Sequence, residues 1–302
     1  MQYKKAAQTY REAVGTFAYN AMLKEARLTP KAGLVDSVSQ GAHTDMDIST
    51  FVASSEALKP YMLEFVCVGY QSAHITAENL LPQLRKTGLQ AEQAMLKATQ
   101  GVNTHKGMIF TMGLICGAAG WLQGNKQAFS SADIRPVIVD MCRHLVRDEL
   151  VRKKNNGKNN EDSPVSAGER IFAEHDITGI RGEASQGYPV IFKCSLPFYR
   201  QAMAKHNDEH LALSYTLLKL MAENCDTNLI HRGGLEGLAY VKQQSAKYLK
   251  RNYSGTDELN KSIEAFDQKL INRHLSPGGS ADLLAATWLL YQLDELSRDF
   301  CR

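Results

Sequence analysis

The spacing of apolar residues constrains this chain more than any other feature of its sequence. Along most of the 302 residues, apolar side chains recur at steps of three and four, which is the period of one helix face. The first such stretch runs from Ala6 to Ala21 and is expected to stop before Pro30, because proline disfavours helical geometry in the residue preceding it. Strand signals are scarce, and the best of them, at residues 190–192, is short. These patterns predict an all-α fold, with further helices at residues 91–98, 105–120, 134–151, 211–222, 235–249 and 283–296.

Composition argues against several classes of function. The 35 Lys and Arg residues nearly balance the 32 Asp and Glu residues, so no strong basic field favours a nucleic acid or an anionic membrane. The longest near-apolar stretch, residues 108–119, is much shorter than the roughly 20 residues that span a bilayer. The six cysteines are dispersed, and the charged start MQYKKAAQTYREAV does not resemble a signal peptide. We expect a cytoplasmic protein with reduced thiols, no nucleic-acid partner and no membrane contact.

One polar segment interrupts the helical pattern. Residues 152–162, with the sequence RKKNNGKNNED, contain no apolar side chain and are rich in turn-forming residues. We predict a mobile surface loop there. Candidate site residues lie on both sides of this loop and no internal repeat is visible, so the sequence favours a single compact domain over residues 1–302 with one shared site.

The first candidate site segment contains two aspartates separated by one residue. Asp45 and Asp47 follow His43 in the sequence GAHTDMD, and residues spaced by two share a face of an extended or turn segment. Carboxylates placed in this way are able to grip a divalent ion such as Mg²⁺. An N-cap role for Asp47, at a helix that begins near Ile48, is an equally good explanation and is compatible with metal binding. Asp36 lies just upstream in TPKAGLVD.

Two further segments combine glycine with charged residues. In GVNTHKG, small and polar residues precede an apolar helix whose free N–H groups and positive dipole end favour phosphate, and Lys106 adds a charge. Taken alone, an ordinary helix cap by Asn103 or Thr104 explains this segment better. In GIRGEA, Arg181 suits bidentate contact with phosphate and Glu183 follows it, although a surface Arg–Glu pair explains the segment equally well.

The last two segments stand where helices are expected to begin. The second of them, SPGGSAD, leads into the final predicted helix, with Ser280 as its expected N-cap and Asp282 as an acid that the helix dipole favours. Each of the five candidate segments is a weak signal by itself. Together they share glycine, a charged residue and a helix start, which favours one common site. The other of these last two segments, DTNLIHRGG, contains Asp226, Asn228, His231, Arg232 and Gly233.

Taken in order, these segments resemble the signature blocks of one family, the triphosphoribosyl-dephospho-CoA synthases. The similarity extends from about Thr29 to Trp288, and Ala32 stands where family members usually have proline. The segments NTHKG and SPGGSADLL are long and chemically unusual, so a chance match is improbable. The matching blocks are TPKAGLVD, GAHTDMD, TFVASSEALKPY, AEQAMLKATQGVNTHKGMIF, GIRGEA, LMAENCDTN, RGGLEG and SPGGSADLLAATW.

The resemblance implies an all-helical transferase that uses ATP as a glycosyl donor. Members of this family move the 5-triphosphoribosyl unit of ATP to the 2′-hydroxyl of 3′-dephospho-CoA and release adenine. The bond that breaks therefore lies at ribose C1′ and not at phosphorus. The product is the prosthetic-group precursor of citrate lyase or malonate decarboxylase, which a separate transferase loads onto an acyl-carrier subunit. ATP and dephospho-CoA are the implied substrates, and Mg²⁺ is the implied metal ion.

This chemistry suggests a role for each candidate residue. Departure of adenine builds oxocarbenium character that a carboxylate stabilises, the acceptor hydroxyl needs a general base, and the phosphates need Mg²⁺ and cations. As catalytic residues we predict Asp226, Asp36, Glu183 and Asp282. As metal ligands we predict Asp45 and Asp47, with Asp226 as a third ligand or as the general base. As substrate- and phosphate-binding residues we predict His43, Asn103, His105, Lys106, Arg181, Asn228, Arg232, Gly233, Gly278, Gly279 and Ser280.

Two other functions fit the same residues. A magnesium-dependent ADP-ribosyl hydrolase is also helical and uses clustered aspartates, and DTN followed by glycine faintly resembles that class; water would then replace the acceptor hydroxyl. A non-catalytic regulator that binds nucleotide or CoA would keep the pocket without turnover. Mass spectrometry of the products formed from ATP, dephospho-CoA and Mg²⁺ distinguishes the three functions.

Overall fold

The computed structural model describes residues 2–125, 129–155, 165–251 and 253–300. Within these ranges there is no strand, so the predicted all-α class is confirmed. A 3₁₀ turn at Ala77–Asn79 and π-helical turns at Arg147–Val151 and Ile191–Ser195 accompany the α-helices. In chain order the α-helices are α1 (Gln2–Arg27), α2 (Ile48–Gln71), α3 (Leu81–Ala98), α4 (Lys106–Gly124), α5 (Ser131–Cys142), α6 (Arg152–Asn155), α7 (Ala167–His175), α8 (Gly179–Ser185), α9 (Leu196–His206), α10 (Glu209–Glu223), α11 (Thr227–Leu249), α12 (Thr256–Ile271) and α13 (Gly278–Phe300).

Local sequence explains several helix boundaries. Helix α1 ends at Arg27, shortly before Pro30, as the proline predicts. Helix α2 begins with a capping box, in which Asp47 accepts from the backbone of Thr50 while the Thr50 side chain accepts from the backbone of Asp47. The N-cap explanation of Asp47 is therefore confirmed. The same reciprocal arrangement at Ser130 and Asp133 starts α5.

Three expectations about local structure differ from the observed fold. Residues 190–192, the best strand candidate, lie in helical structure in which Ile191 is fully buried, because packing overrides the weak β-propensity of a short segment. The single helix expected at 134–151 is α5 followed by a turn and a π-helical turn. The predicted loop at 152–162 is wrong for Arg152–Asn155, which continue the π-helical turn as α6, and residues 156–162 lie outside the described residues.

Helix α4 is a central element of the core. It packs against α1, α2, α3, α5 and α13, and its contact with α2 is made through glycine. A Cβ atom on Gly69 would lie 2.0 Å from the carbonyl oxygen of Gly117, and one on Gly120 would lie 2.0 Å from that of Val66, so the two backbones touch. Of the helices that the structure describes, α4 alone is apolar and long enough to cross a membrane. Of its most apolar window, 72% is buried inside the protein, as in a core helix.

The fold brings the beginnings of several helices together. A Cβ atom on Gly107, in the first turn of α4, would lie 2.2 Å from Oδ2 of Asp282 in α13. Asp226, which precedes α11, accepts hydrogen bonds from the first turn of α13. A Cβ atom on Gly179, where α8 begins, would lie 2.8 Å from Cγ2 of Thr227, where α11 begins. The N-terminal ends of α4, α11 and α13 therefore meet, with the start of α8 beside α11.

Candidate active site

Asp226 joins the beginnings of α11 and α13. Its side chain accepts hydrogen bonds from the backbone N–H groups of Asn228 (3.0 Å), Gly279 (3.3 Å) and Ser280 (2.8 Å), and the Ser280 hydroxyl donates a fourth (2.9 Å). Because the first N–H groups of a helix have no partner within it, one carboxylate satisfies both helix ends. Burial raises the pKa of Asp226, and these hydrogen bonds oppose the rise. The expected N-cap role of Ser280 is wrong, since Ser280 lies inside α13.

Three glycines of the predicted site serve contacts within the protein. A Cβ atom on Gly279 would lie 2.9 Å from Oδ1 of Asp226, and one on Gly278 would lie 3.0 Å from Nδ2 of Asn228. Gly233 packs in the same way on Leu275 and, with the following glycine, interrupts the helical geometry of α11. These glycines let neighbouring segments approach closely, and a direct role in binding phosphate stays a prediction.

Asp282 lies in the first turns of α13 and has surroundings unlike those of Asp226. None of the described residues donates a hydrogen bond to its carboxyl group, which rests against Gly107 and keeps some solvent-accessible surface. Burial, followed by the nearby carboxylates of Glu25 and Asp226, raises the pKa of Asp282 well above its usual value. Such a shift favours the protonated form of the carboxyl group, so it is suited to donate a proton.

A buried ion pair between Lys31 and Glu25 lies near Asp282. Nζ of Lys31 is 2.6 Å from Oε1 of Glu25 and also donates to the Glu25 carbonyl oxygen, and both side chains are almost fully buried. Sequence reasoning missed this pair: Lys31 belongs to the segment TPKAGLVD, but nothing in the pattern distinguishes Glu25 at the end of α1. Asp36, predicted to be catalytic, accepts from the backbone N–H groups of Lys31, Val38 and Ser39, so its contacts order the loop.

Helix α8 carries two predicted site residues, Arg181 and Glu183, whose side chains have different partners. Glu183 is partly buried and accepts one hydrogen bond from the backbone N–H of Val190 (3.1 Å), and burial raises the pKa of its carboxyl group. Electrostatic effects of Glu183 on Tyr188 and Cys225 place it near the site. The guanidinium of Arg181 instead donates to Oε2 of Glu149 (2.8 Å). The predicted alternative of an Arg–Glu pair is thus observed, with Glu149 as the partner.

His43, Arg232 and Ser276 connect three of the predicted segments. A guanidinium nitrogen of Arg232 donates to Nδ1 of His43 (3.1 Å), and Nε2 of His43 is 2.9 Å from Oγ of Ser276. Because arginine can only donate, Nδ1 is the acceptor and the ring proton lies on Nε2. Burial and the neighbouring arginine lower the pKa of His43 to about 4, so the ring is neutral. Arg232 also donates to the carbonyl oxygen of Ala42 (2.7 Å).

The segment before α4 forms an ordinary turn with one buried histidine. Oδ1 of Asn103 accepts from the backbone N–H of Lys106 (3.2 Å), and the exposed ammonium of Lys106 pairs with Glu92. His105 is buried, with Nδ1 2.6 Å from Oγ of Ser54, while Nε2 has no partner among the described residues. Burial, with a smaller effect of Lys31, lowers the pKa of His105 to about 3. A substrate contact through His105 stays a prediction.

The three predicted metal ligands do not form one cluster. Asp47 uses Oδ1 to accept from Ser49 and Thr50 as the cap of α2, which lowers the pKa of its carboxyl group. Asp45 is exposed and lies 3.8 Å from Nδ1 of His43. Asp226 is occupied by N–H and O–H donors at the other helix ends. Across the described residues, no group of three or more His, Cys, Asp or Glu side chains is able to hold a metal ion. The donor set thus does not fit a resident three-carboxylate magnesium site.

The site as a whole combines acids with helix N-termini. Asp282 and Glu183 have raised pKa values, and the positive ends of α4, α11 and α13 lie beside them. Such helix ends favour anionic groups, and carboxyl groups with raised pKa values favour proton transfer. The fold and the site together define an all-α protein with candidate acid–base groups beside a region that favours anions.

Comparison with known proteins identifies the family. The chain belongs to the CitG family, which is described as ATP:dephospho-CoA triphosphoribosyl transferase. The family model matches residues 11–300. A protein of Vibrio cholerae serotype O1 (strain M66-2), named as a probable 2-(5''-triphosphoribosyl)-3'-dephosphocoenzyme-A synthase, is 49% identical over 283 residues, covering 94% of this chain and 88% of the relative. A synthase of the same name from Pectobacterium atrosepticum is 44% identical over 272 residues, covering 90% and 86%. No solved structure gives a significant match.

Proposed function

We propose that this chain transfers the 5-triphosphoribosyl group of ATP to the 2′-hydroxyl of 3′-dephospho-CoA and releases adenine. The family description and the names of the relatives support this reaction. One structural observation carries it: Asp282 is a carboxyl group without a hydrogen-bond donor among the described residues, beside other acids and the ends of three helices. A glycosyl transfer from ATP needs such a proton donor near an anion-binding region.

Two carboxyl groups suffice for the proton transfers. The C1′–N9 bond of ATP breaks and a bond forms between C1′ and the acceptor oxygen, while adenine gains one proton and the acceptor hydroxyl loses one. Asp282, which favours its protonated form, donates to the departing adenine. Glu183, with one oxygen bound to the Val190 N–H, accepts the hydroxyl proton. Asp226 is a positioning residue, because its four hydrogen bonds hold the two helix ends in place.

The phosphate groups require cations and helix ends. We assign the triphosphate to the region between the N-termini of α4, α11 and α13. Arg232, which lies in α11 and bonds to His43 and the Ala42 carbonyl oxygen, is one candidate cation. Lys106 and Arg181 would have to exchange their carboxylate partners for phosphate. Any Mg²⁺ would be bound to the phosphates of ATP, and Asp45, an exposed carboxylate beside His43, would be a candidate ligand for it.

The proposed product defines what must act after this protein. It is a nucleotide whose triphosphate end is ready for attachment, so we expect a separate transferase to load it onto an acyl-carrier subunit of citrate lyase or malonate decarboxylase. These steps use soluble nucleotides, and we expect the protein to act in the cytoplasm.

The decisive experiment follows labelled ribose. The protein is incubated with dephospho-CoA, MgCl₂ and ATP that carries ¹³C only in its ribose, and the products are analysed by mass spectrometry. The proposed reaction gives unlabelled adenine and a coupled product that contains the ¹³C ribose. Labelled triphosphoribose without a coupled product would instead indicate a hydrolase. Binding of both nucleotides without any turnover would indicate a regulator, and either result would overturn the proposal.

A further inference from the structure

A pocket lies outside the group formed by Asp226, Asp282 and Glu183, here called the carboxylate cluster, and is lined by both charged and apolar residues. It lies where the π-helical turn Ile191–Ser195 and α9 meet the end of α10, and its volume is about 420 Å³. Its lining includes two lysines, Lys193 and Lys219, two less polar residues, Pro197 and Phe198, and one carboxylate, Glu223. A ligand that fits such a pocket has an anionic part and an extended, less polar part.

The two lysines differ in what holds them. Lys193 is exposed and has no ion pair with any described residue. Lys219 pairs with Glu223, whose carboxylate is 2.7 Å from Nζ, and the Glu223 side chain is 49% exposed. Since an exposed pair of this kind is weak, an incoming phosphate is able to displace the carboxylate and gain a second ammonium group.

The pocket borders the carboxylate cluster. Glu223 is the last residue of α10, and Asp226 follows it by three residues, which span at most roughly 10 Å. The connecting turn is fixed, because Nζ of Lys242 donates to the Glu223 carbonyl oxygen (2.8 Å) and Nδ2 of Asn224 donates to Oγ of Ser280 (3.2 Å). A ligand that reaches both the pocket and Asp226 would therefore lie along a segment whose backbone is fixed by these hydrogen bonds.

We propose that this pocket binds the diphosphate and the pantetheine arm of the acceptor, dephospho-CoA, an inference that rests on the proposed function. The 2′-hydroxyl and the 5′-diphosphate belong to the same ribose, so a hydroxyl at the carboxylate cluster places the diphosphate a few ångströms away. Lys193 and Lys219 bind the diphosphate, and Pro197 and Phe198 contact the arm.

The first test separates the two substrates kinetically. Lys193→Ala removes one charge-assisted hydrogen bond, so the KM for dephospho-CoA is expected to rise about fivefold to twentyfold while the KM for ATP stays unchanged. Glu223→Gln frees Lys219 and is expected to lower the KM for dephospho-CoA. Lys205→Ala, which removes an exposed lysine of α9 outside the pocket, is the matched control. An unchanged KM for dephospho-CoA in Lys193→Ala, or an equal rise for ATP, would overturn the assignment.

The second test measures binding without turnover. The ATP site is first saturated with an ATP analogue whose carbon–carbon glycosidic bond cannot be cleaved. In calorimetry with dephospho-CoA and with ADP, which lacks the arm, Phe198→Ala is then expected to weaken only dephospho-CoA, whereas Lys193→Ala weakens both ligands. Equal losses for both ligands in Phe198→Ala would exclude the arm from this pocket. If wild-type protein binds dephospho-CoA but forms no product, the proposed function fails while the binding comparison still decides the pocket. If product forms and no variant changes binding, only the pocket assignment fails.

Discussion

At the scale of single residues, Asp226 and Asp282 show how the surroundings of a carboxyl group decide its role. Asp226 accepts four hydrogen bonds from N–H and O–H donors, which favour a carboxylate. Asp282 has no such donor among the described residues and lies near two other acids, which favours the protonated acid. The first is therefore suited to hold backbone in place, and the second is suited to move a proton.

Asp282→Asn tests the role of the proton donor. Asparagine keeps the size of the side chain but cannot donate an acidic proton, so kcat is expected to fall by about 10²- to 10⁴-fold with little change in Tm. Steady-state release of adenine and thermal melting measure the two effects. Asp257→Asn, at an exposed position of α12, is the control. A kcat close to that of the wild-type protein would remove Asp282 from the mechanism.

The sequence indicated candidate site residues but not the residues that contact them. Asp226, Asp282 and Glu183 were visible in their segments because glycine, charge and a helix start occur together there. The Lys31–Glu25 pair was not visible, since it depends on how the loop after α1 turns back on its own helix. The partner of Arg181 is likewise 32 residues away in sequence, and only the fold brings Glu149 to it.

At the scale of helices, the contact of α2 with α4 has no room for added atoms. Gly120→Ala would place a methyl group 2.0 Å from the Val66 carbonyl oxygen, so the helices must separate and the free energy of unfolding is expected to fall by about 3 kcal/mol. Gly88→Ala in α3 meets only a Phe65 ring atom at 4.0 Å and is expected to stabilise by up to about 1 kcal/mol. Urea unfolding measures both changes. An unchanged free energy of unfolding in Gly120→Ala would show that the contact between α2 and α4 can adapt to the added methyl group.

Helix positions were predictable where an apolar face was clear, and less so elsewhere. Proline and the capping aspartate placed the end of α1 and the start of α2. The weak strand signal at residues 190–192 does not correspond to a strand because Ile191 packs into the core as part of a helical turn, a tertiary effect that local sequence does not contain.

At the scale of the whole molecule, buried histidines make stability depend on pH. His105 has an ordinary pKa of 6.5 when unfolded and about 3 when folded, so below pH 6.5 the unfolded state gains a proton that the folded state does not. Stability from this group is complete above pH 6.5 and declines as the pH falls towards 3. We expect the drop in Tm between pH 7.5 and pH 5 to be smaller in His105→Asn than in the wild-type protein. An identical drop in both proteins would show that His105 is not the group responsible.

The carboxylate that Asp226 shares between two helix ends also bears on the biogenesis of the protein. It couples Asn228 to Ser280, which are separated by most of two helices and the loops between them. During synthesis the carboxylate meets its second helix only after α13 has emerged and docked, and Asp282 arrives on that same helix. The candidate proton donor Asp282 and the second set of hydrogen-bond donors to Asp226 therefore both come from α13, so the contact between the two helix ends is complete only after α13 has docked.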